Sequence, residues 1–339
     1  MSGAPRVTIA GAGVLGLSAA LALADAGCRV TVCDPAGGNA SAVAAGMIAP
    51  AFEAVLDPSA RPHLDLLMAA RDLWPALAVR AGIALDRSGA MAVGDDAWLG
   101  QVAATFGTLG LRPTEISGRT ARALTPGLAS AFDRALLCRE DWRVDAPAAL
   151  QALRDAAEAA GVAFRPWRVG DRGNADVLVA ATGADLGLAD LVPELGALAP
   201  IKGQIVRLKT QGPGGVTVRA EGLYVAPAGH ELIVGATMEP GLSDSDVDLE
   251  KVRPLLDGAM RLFPDLGEPQ FWVGAGVRAA TPDGLPLAGP SATPGVIVAA
   301  GARRNGWLLA PLTAQVVTAC VTGRDAGPYA ARLDPARRS

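Results

Sequence analysis

Histidine is nearly missing from this chain: His63 and His230 are the only two among 339 residues. With so little imidazole, a Ser-His-Asp or Cys-His nucleophile is hard to assemble. Cysteine is scarce and scattered. The four (Cys28, Cys33, Cys138, Cys320) include one Cys-x4-Cys spacing and no Cys-x-x-Cys. That argues against a metal site or a disulfide framework, and for the reduced thiols of a cytoplasmic protein. Long basic runs are also lacking, and the formal net charge is −4, so no nucleic-acid surface is expected. The basic tail RLDPARRS is short and reads as a frayed end.

What is present is apolar mass. Half of the residues are hydrophobic and 19% are charged, a composition that buries well and is far from disordered. A chain of 339 residues exceeds the size at which one core stops growing, so two domains are the default. The run VTIAGAGVLGLSAALALA, residues 7–24, has no charge and could be scored as a membrane span. Three glycines within six residues, and a short preceding segment with the single Arg6, fit neither a span nor a signal peptide. A buried strand, a turn and a buried helix fit better, so no membrane is expected as a partner.

The sequence RVTIAGAGVLGLSAALALADAGCRVTVCD supports that division. RVTIA is a β-rich run, and Gly11, Ala12, Gly13, Val14, Leu15 and Gly16 form the turn. Residues 17–26 read as a helix closed by Gly27, and 29–33 as a second β-branched run ending at Asp34. In such a turn the first glycine permits the tight bend, the second lets a pyrophosphate approach, and the third lets helix and strand pack closely. The helix N-terminus then faces phosphate. Asp34 lies 23 positions after Gly11, the spacing at which an acid bonds a ribose hydroxyl. This favours NAD or FAD over NADP and does not choose between them. The stretch GGNASAVAAGMIAPAFE, residues 37–53, is small and uncharged up to Glu53. It reads as a flexible loop or as a backbone-lined passage for a flat cofactor.

GARRNGWLLAP, residues 301–311, poses a puzzle. Asn305 and Gly306 announce a helix, whose start carries partial positive charge, yet Arg303 and Arg304 stand just ahead of it. Such a gathering of cations and free N–H groups suits an anion that arrives later.

Taken in order, GAGVLG, SAVAAGMIAP, DWRVDAP (141–147), VLVAATGA (177–184), IKGQ (201–204), LYVAP, IVGATMEPG, FWVGAGVRAATPDGLPLAG (271–289) and RNGWLLAPLTA resemble the D-amino acid oxidase-like flavoproteins. Within them the chain is most similar to the glycine oxidases of thiazole (thiamine) biosynthesis. The resemblance spans nearly the whole chain. It implies an α/β fold: a discontinuous Rossmann-like FAD-binding domain (1–82, 138–196, 268–332), an α+β substrate domain on an antiparallel sheet (83–137, 197–267), and a tail (333–339). LYVAP and ELIVGA read as a hairpin of that sheet. The segment before VLVAATG is too short for the hairpin the family usually places there.

The resemblance also implies the site. Arg278 would pair with the substrate carboxylate, for which a guanidinium fork is well suited. Arg304 would lie near substrate and flavin, Tyr224 would offer its hydroxyl, and Met238 would limit the room beside Cα. Non-covalent FAD would be held by Gly11, Gly13, Val14, Leu15, Gly16, Asp34, Pro35, Ala40, Ser41, Ala45, Gly46, Met47, Val169 and Gly183, and by residues 301–308: Gly301, Ala302, Arg303, Arg304, Asn305, Gly306, Trp307 and Leu308. Arg303 has the weaker claim and reads as a solvated neighbour. The anions that explain the paired arginines would be the substrate carboxylate and the negative charge of the reduced ring. The implied activity is oxidation of glycine, or of another small amino acid, to the imine, with O2 reduced to H2O2. A D-amino acid or N-methylglycine oxidase or dehydrogenase is the alternative, with a redox-silent flavin-binding regulator of another class behind it. The resemblance also implies a homotetramer. Two features of the glycine oxidases are missing: Ala302 stands where they usually carry histidine, and Gly222 where a polar or histidine side chain can occur.

Overall fold

The computed structural model describes residues 4–210 and 214–337. The outermost ends of the expected segments, and residues 211–213, lie outside them. Val7, Ile9, Val30 and Val32 alternate with partly exposed neighbours along Arg6–Ala10 and Arg29–Cys33, and these two strands pair in parallel. They are interior strands of a six-stranded sheet in the order Leu287–Pro290, Val296–Ala300, Val177–Ala180, Arg6–Ala10, Arg29–Cys33, Ala163–Arg165. All neighbours are parallel except the edge strand Leu287–Pro290.

The connecting helix Val14–Asp25 begins three residues earlier than expected and is apolar on nearly every side. Such a helix must be covered all round, and the equally apolar Gly306–Thr322 packs along it. Ile9, Leu17, Leu21, Leu308 and Leu309 share this core. The uncharged run 7–24 is thus split between strand and helix, and among the described residues no helix is long and apolar enough to cross a membrane.

The larger sheet has nine strands. Eight follow the order Glu239–Pro240, Ala199–Lys209, Glu231–Gly235, Leu223–Ala228, Thr217–Ala220, Ala90–Ala92, Arg134–Cys138, Thr114–Ser117. Leu223–Ala228 and Glu231–Gly235 form the expected hairpin around Gly229, which adopts φ +59°. The ninth strand, Phe271–Ala280, corrects an expectation. Assigned from sequence to the cofactor-binding segments, it pairs antiparallel with nearly all of Ala199–Lys209 in the larger sheet. Helix Leu249–Leu262 covers one face of this sheet, where Val206, Val218, Val234 and Leu255 form a second core.

Two further expectations change. Residues 37–53 are not a plain loop: they contain a short helix Ala40–Val43, a strand Met47–Ile48 and most of helix Pro50–Leu56. That last helix is buried from Pro50 to Val55, with the Phe52 ring packed edge-on against Phe106. Nor is the described part of the tail frayed. Leu333 is fully buried, Arg332 pairs with Asp65 at 2.8 Å, and Arg337 pairs with Asp283 at 2.7 Å.

Candidate active site

Two cavities lie along the path from the glycine turn to the large sheet. Gly11 starts the first. Its φ is +108°, and a Cβ there would fall 2.3 Å from the Ala181 carbonyl oxygen, so only glycine fits. A Cβ on Gly16 would fall 2.1 Å from Gly11 O, which shows the third glycine packing against the first. Gly13 caps the helix with no side chain. The Asp34 carboxylate accepts from Ala12 N at 2.7 Å and Ala36 N at 2.9 Å, and Ser41 Oγ accepts from Val14 N at 3.1 Å. Gly11, Asp34, Pro35 and Val169 line a cleft of about 230 Å³, with Gly183 just beyond its Thr182 wall. A glycine cradle that no Cβ could share, a helix N-terminus and an acid beside a cleft fit the nucleotide half of FAD.

The second cavity is about 420 Å³. Ala40, Ala45, Gly46 and Met47 line one side, with Arg304, Asn305 and Trp307 at the start of the long helix. Trp307 Nε1 donates to Ser41 O at 3.1 Å, and Trp74 Nε1 donates to Trp307 O at 3.0 Å. These bonds tie the helix start to the cofactor segment. The other predicted positions line neither cavity. Val14, Leu15 and Leu308 belong to the apolar core, Gly306 lies against Val14, and Gly301 packs on Leu198 and Thr281. Ala302 bridges Ala280.

The opposite wall is one face of the large sheet. Arg219 pairs in register with Tyr224, Tyr224 with Gly235, Gly235 with Ile205, and Ile205 with Gly274. Two and four residues beyond Gly274, Gly276 and Arg278 share that face by strand alternation. Two glycines make room for the polar groups. A Cβ on Gly203 would fall 2.0 Å from Arg278 Nη1, and one on Gly235 would fall 2.3 Å from the Tyr224 hydroxyl. Arg278 Nη1 donates to Thr237 O at 3.4 Å and contacts Met238 Sδ at 3.5 Å. Burial lowers the Arg278 pKa, though a guanidinium stays charged. Burial also raises Tyr224, against the pull of Arg278 and Arg219, so its phenol stays protonated and can donate. Arg278, Tyr224, Met238 and Arg304 all line this one cavity.

The paired arginines find their anions inside the chain, which corrects the reading of Arg303 as solvated. Arg303 adopts φ +50° and pairs with Asp57 at 2.6 Å. Arg304 Nε pairs with Glu53 Oε1 at 2.6 Å and its Nη2 with Asp57 at 3.0 Å. Burial works to raise the Asp57 carboxyl, but hydrogen bonds from Ser59 and the charge of Arg304 outweigh it and hold it below the usual range. Glu53 also accepts from Asn305 Nδ2 at 2.9 Å. No anion has to arrive to justify these two cations.

Sequence reasoning passed over Glu53 and Asp57 as partners, along with Arg219, Asp141, Gly203 and Gly235. The acids carry one faint signal, an i, i+4 spacing that places them on one side of a helix end. Asp141, 1% exposed, accepts from Ala51 N at 2.8 Å and Phe52 N at 3.1 Å and so anchors that helix's N-terminus.

The chain is similar to known proteins. The chain is 32% identical to a glycine oxidase of Geobacillus kaustophilus over 95% of both chains. It is 31% identical to a Rhizobium etli protein provisionally named thiamine biosynthesis oxidoreductase ThiO, over 91% of this chain and 94% of that one. The crystal structure of glycine oxidase from Geobacillus kaustophilus matches with a TM-score of 0.84 at 29% identity, over 99% of this chain and 100% of that one. The family model of the FAD-dependent oxidoreductases named DAO matches residues 6–320. With its glycine cradle, its acid and its two cavities, the chain belongs to this DAO family of FAD-dependent oxidoreductases.

Proposed function

We propose that the protein oxidises a small amino acid, glycine in the first instance, to its imine. Water then releases the 2-oxo acid and ammonia. O2 takes the two electrons and two protons as H2O2, and the imine feeds the thiazole branch of thiamine biosynthesis. The observation that carries the reading is Arg278, a partly buried cation seated over Gly203, beside Tyr224 and Met238 and across the cavity from the Ala40–Met47 segment. The named glycine oxidase and thiamine relatives support it.

FAD, held without a covalent link by the glycine cradle at Gly11, the Asp34 cleft and the Ala40–Met47 side of the second cavity, would supply the two-electron redox chemistry. The chain's own residues position the substrate. The Arg278 fork binds the carboxylate in two parallel hydrogen bonds. The Tyr224 phenol donates to the same carboxylate or accepts from the amine, and Met238 bounds the space beside Cα. No strong base is needed, because the neutral amine already carries the lone pair that drives hydride loss.

A second reading, a D-amino acid or an N-methylated glycine on the same residues, is favoured by Met238 itself. It is 38% exposed, and a flexible thioether side chain with that freedom can turn aside for a larger substituent. The test is anaerobic mixing of the purified yellow protein with glycine while the visible flavin band is followed. Bleaching supports glycine oxidation. A band that persists with glycine and bleaches with D-alanine or sarcosine selects the second reading.

A further inference from the structure

Arg219 is a buried cation with no use so far. It is 9% exposed; its Nε is shut off from solvent and cavity alike with no hydrogen-bond partner among the described residues, so a ligand can meet only the terminal Nη edge, at the cavity that Arg219 lines. A guanidinium in that state is costly unless something pairs with it. The two nearest carboxylates are committed elsewhere: Asp141 to the N–H groups of Ala51 and Phe52, Glu53 to Arg304 and Asn305. The rings of Phe52 and Tyr224 lie 5.8 and 5.6 Å from the guanidinium carbon. Such contacts fix the group through its flat faces and leave the N–H edges for a ligand.

Arg219 lines the same cavity as Arg278, and Tyr224 stands between them. Tyr224 is the cross-strand neighbour of Arg219, while its hydroxyl lies over Gly235 and Arg278 lies over Gly203. Gly203 and Gly235 are diagonal neighbours on adjacent strands, about 7–8 Å apart. One small molecule can therefore span from Arg278 past the phenol toward Arg219. The remaining carboxylate of this wall, Glu221, is exposed at the rim, where solvent screens it.

We propose that Arg219 is a second carboxylate site, and that the preferred substrate is a small amino acid or secondary amine bearing a second acidic group. This rests on the reading of Arg278 as the clamp for the first carboxylate. Glycine fills one of the two sites, whereas a dicarboxylic amine fills both and pairs with the terminal Nη edge of Arg219.

The experiment is calorimetric titration of the FAD-loaded protein with malonate, succinate and glutarate, against acetate, propionate and butyrate. At least one dicarboxylate is expected to bind about tenfold or more tightly than its monocarboxylate counterpart. That ratio should fall to near one in Arg219→Gln. If Arg219→Gln does not fold, Arg219→Lys, which keeps the charge without the fork, should reduce the ratio several-fold. Equal affinities in the unmodified protein, or a ratio untouched by either variant, would overturn the second site and leave the Arg278 clamp standing. Binding of neither series, together with flavin that no amine bleaches, would remove the clamp and the second site together.

Discussion

Glu53 and Arg304, 251 positions apart in the chain, meet at 2.6 Å beside the start of the long C-terminal helix. Glu53 also takes the Asn305 amide at 2.9 Å, so one carboxylate holds two residues of the cavity wall. Its side chain is 10% exposed and that of Arg304 30%, so solvent offers little compensation if the pair is broken. Burial opposes the charge on Arg304, and the Glu53 carboxylate, with Asp57 beside it, more than restores it. Glu53→Gln should therefore cost about 1–3 kcal/mol of stability, read from urea denaturation of the FAD-loaded protein. It should also loosen Asn305 and Trp307 enough to weaken flavin retention. Unchanged stability would mean that Asp57 alone suffices for both arginines.

Gly203 gives a sharper test of the site, because its substitution touches the clamp only through space. An added Cβ would fall 2.0 Å from Arg278 Nη1 and 2.3 Å from its Cζ, so the fork must move. Gly203→Ala should lower kcat/KM for the amino acid by about ten- to a hundredfold with flavin still bound. Arg278→Ala should raise KM about a hundredfold. In the double variant the alanine at 203 should add little, because its only target is gone. Additive losses would show that Gly203 matters for some reason other than Arg278.

Gly11 tests the cofactor cradle in the same spirit. Its φ of +108° and the 2.3 Å approach of an added Cβ to the Ala181 carbonyl oxygen both penalise Gly11→Ala, and backbone strain of this kind costs about 1–3 kcal/mol. The variant should purify with a much lower ratio of visible to ultraviolet absorbance than the parent. Full flavin content would mean that the turn tolerates a shift and that the cofactor is held mainly elsewhere.

These residues also show what was legible in advance. The strand, turn and helix around Gly11 could be read because glycine spacing and β-branched runs are local signals, and the hairpin at Gly229 could be read for the same reason. Strand Phe271–Ala280 could not be placed in its sheet, since its partner Ala199–Lys209 is chosen by packing between distant segments. Helix Pro50–Leu56 was hidden by the small, uncharged run that leads into it, which looks like loop. The largest misreading concerned charge. Arg303 and Arg304 looked unpaired because Glu53 and Asp57 reach them from 251 and 246 positions away, and the i, i+4 spacing of the acids does not say which cations they meet. Gly203 and Gly235 were visible as glycines, but their purpose needed the side chains that lean over them.

Asp141 yields the last prediction, and it concerns pH. The residue is 1% exposed, and burial pushes its carboxyl up to about 6, while Arg219 and the N–H groups of Ala51 and Phe52 pull the other way. In the unfolded chain the group titrates near 3.9. Between about pH 4 and pH 6 the folded protein therefore binds more protons here than the unfolded chain does, and this group's contribution to stability falls as pH rises through that window. Asp141→Asn removes the titration. The stability of the parent minus that of the variant, from urea denaturation, should decline by on the order of 2–3 kcal/mol between pH 4 and pH 6 and then level off. A difference that grows with pH would mean that the folded protein favours the carboxylate form. Asp141 would then face Arg219 as a carboxylate well below pH 6, and not only above it.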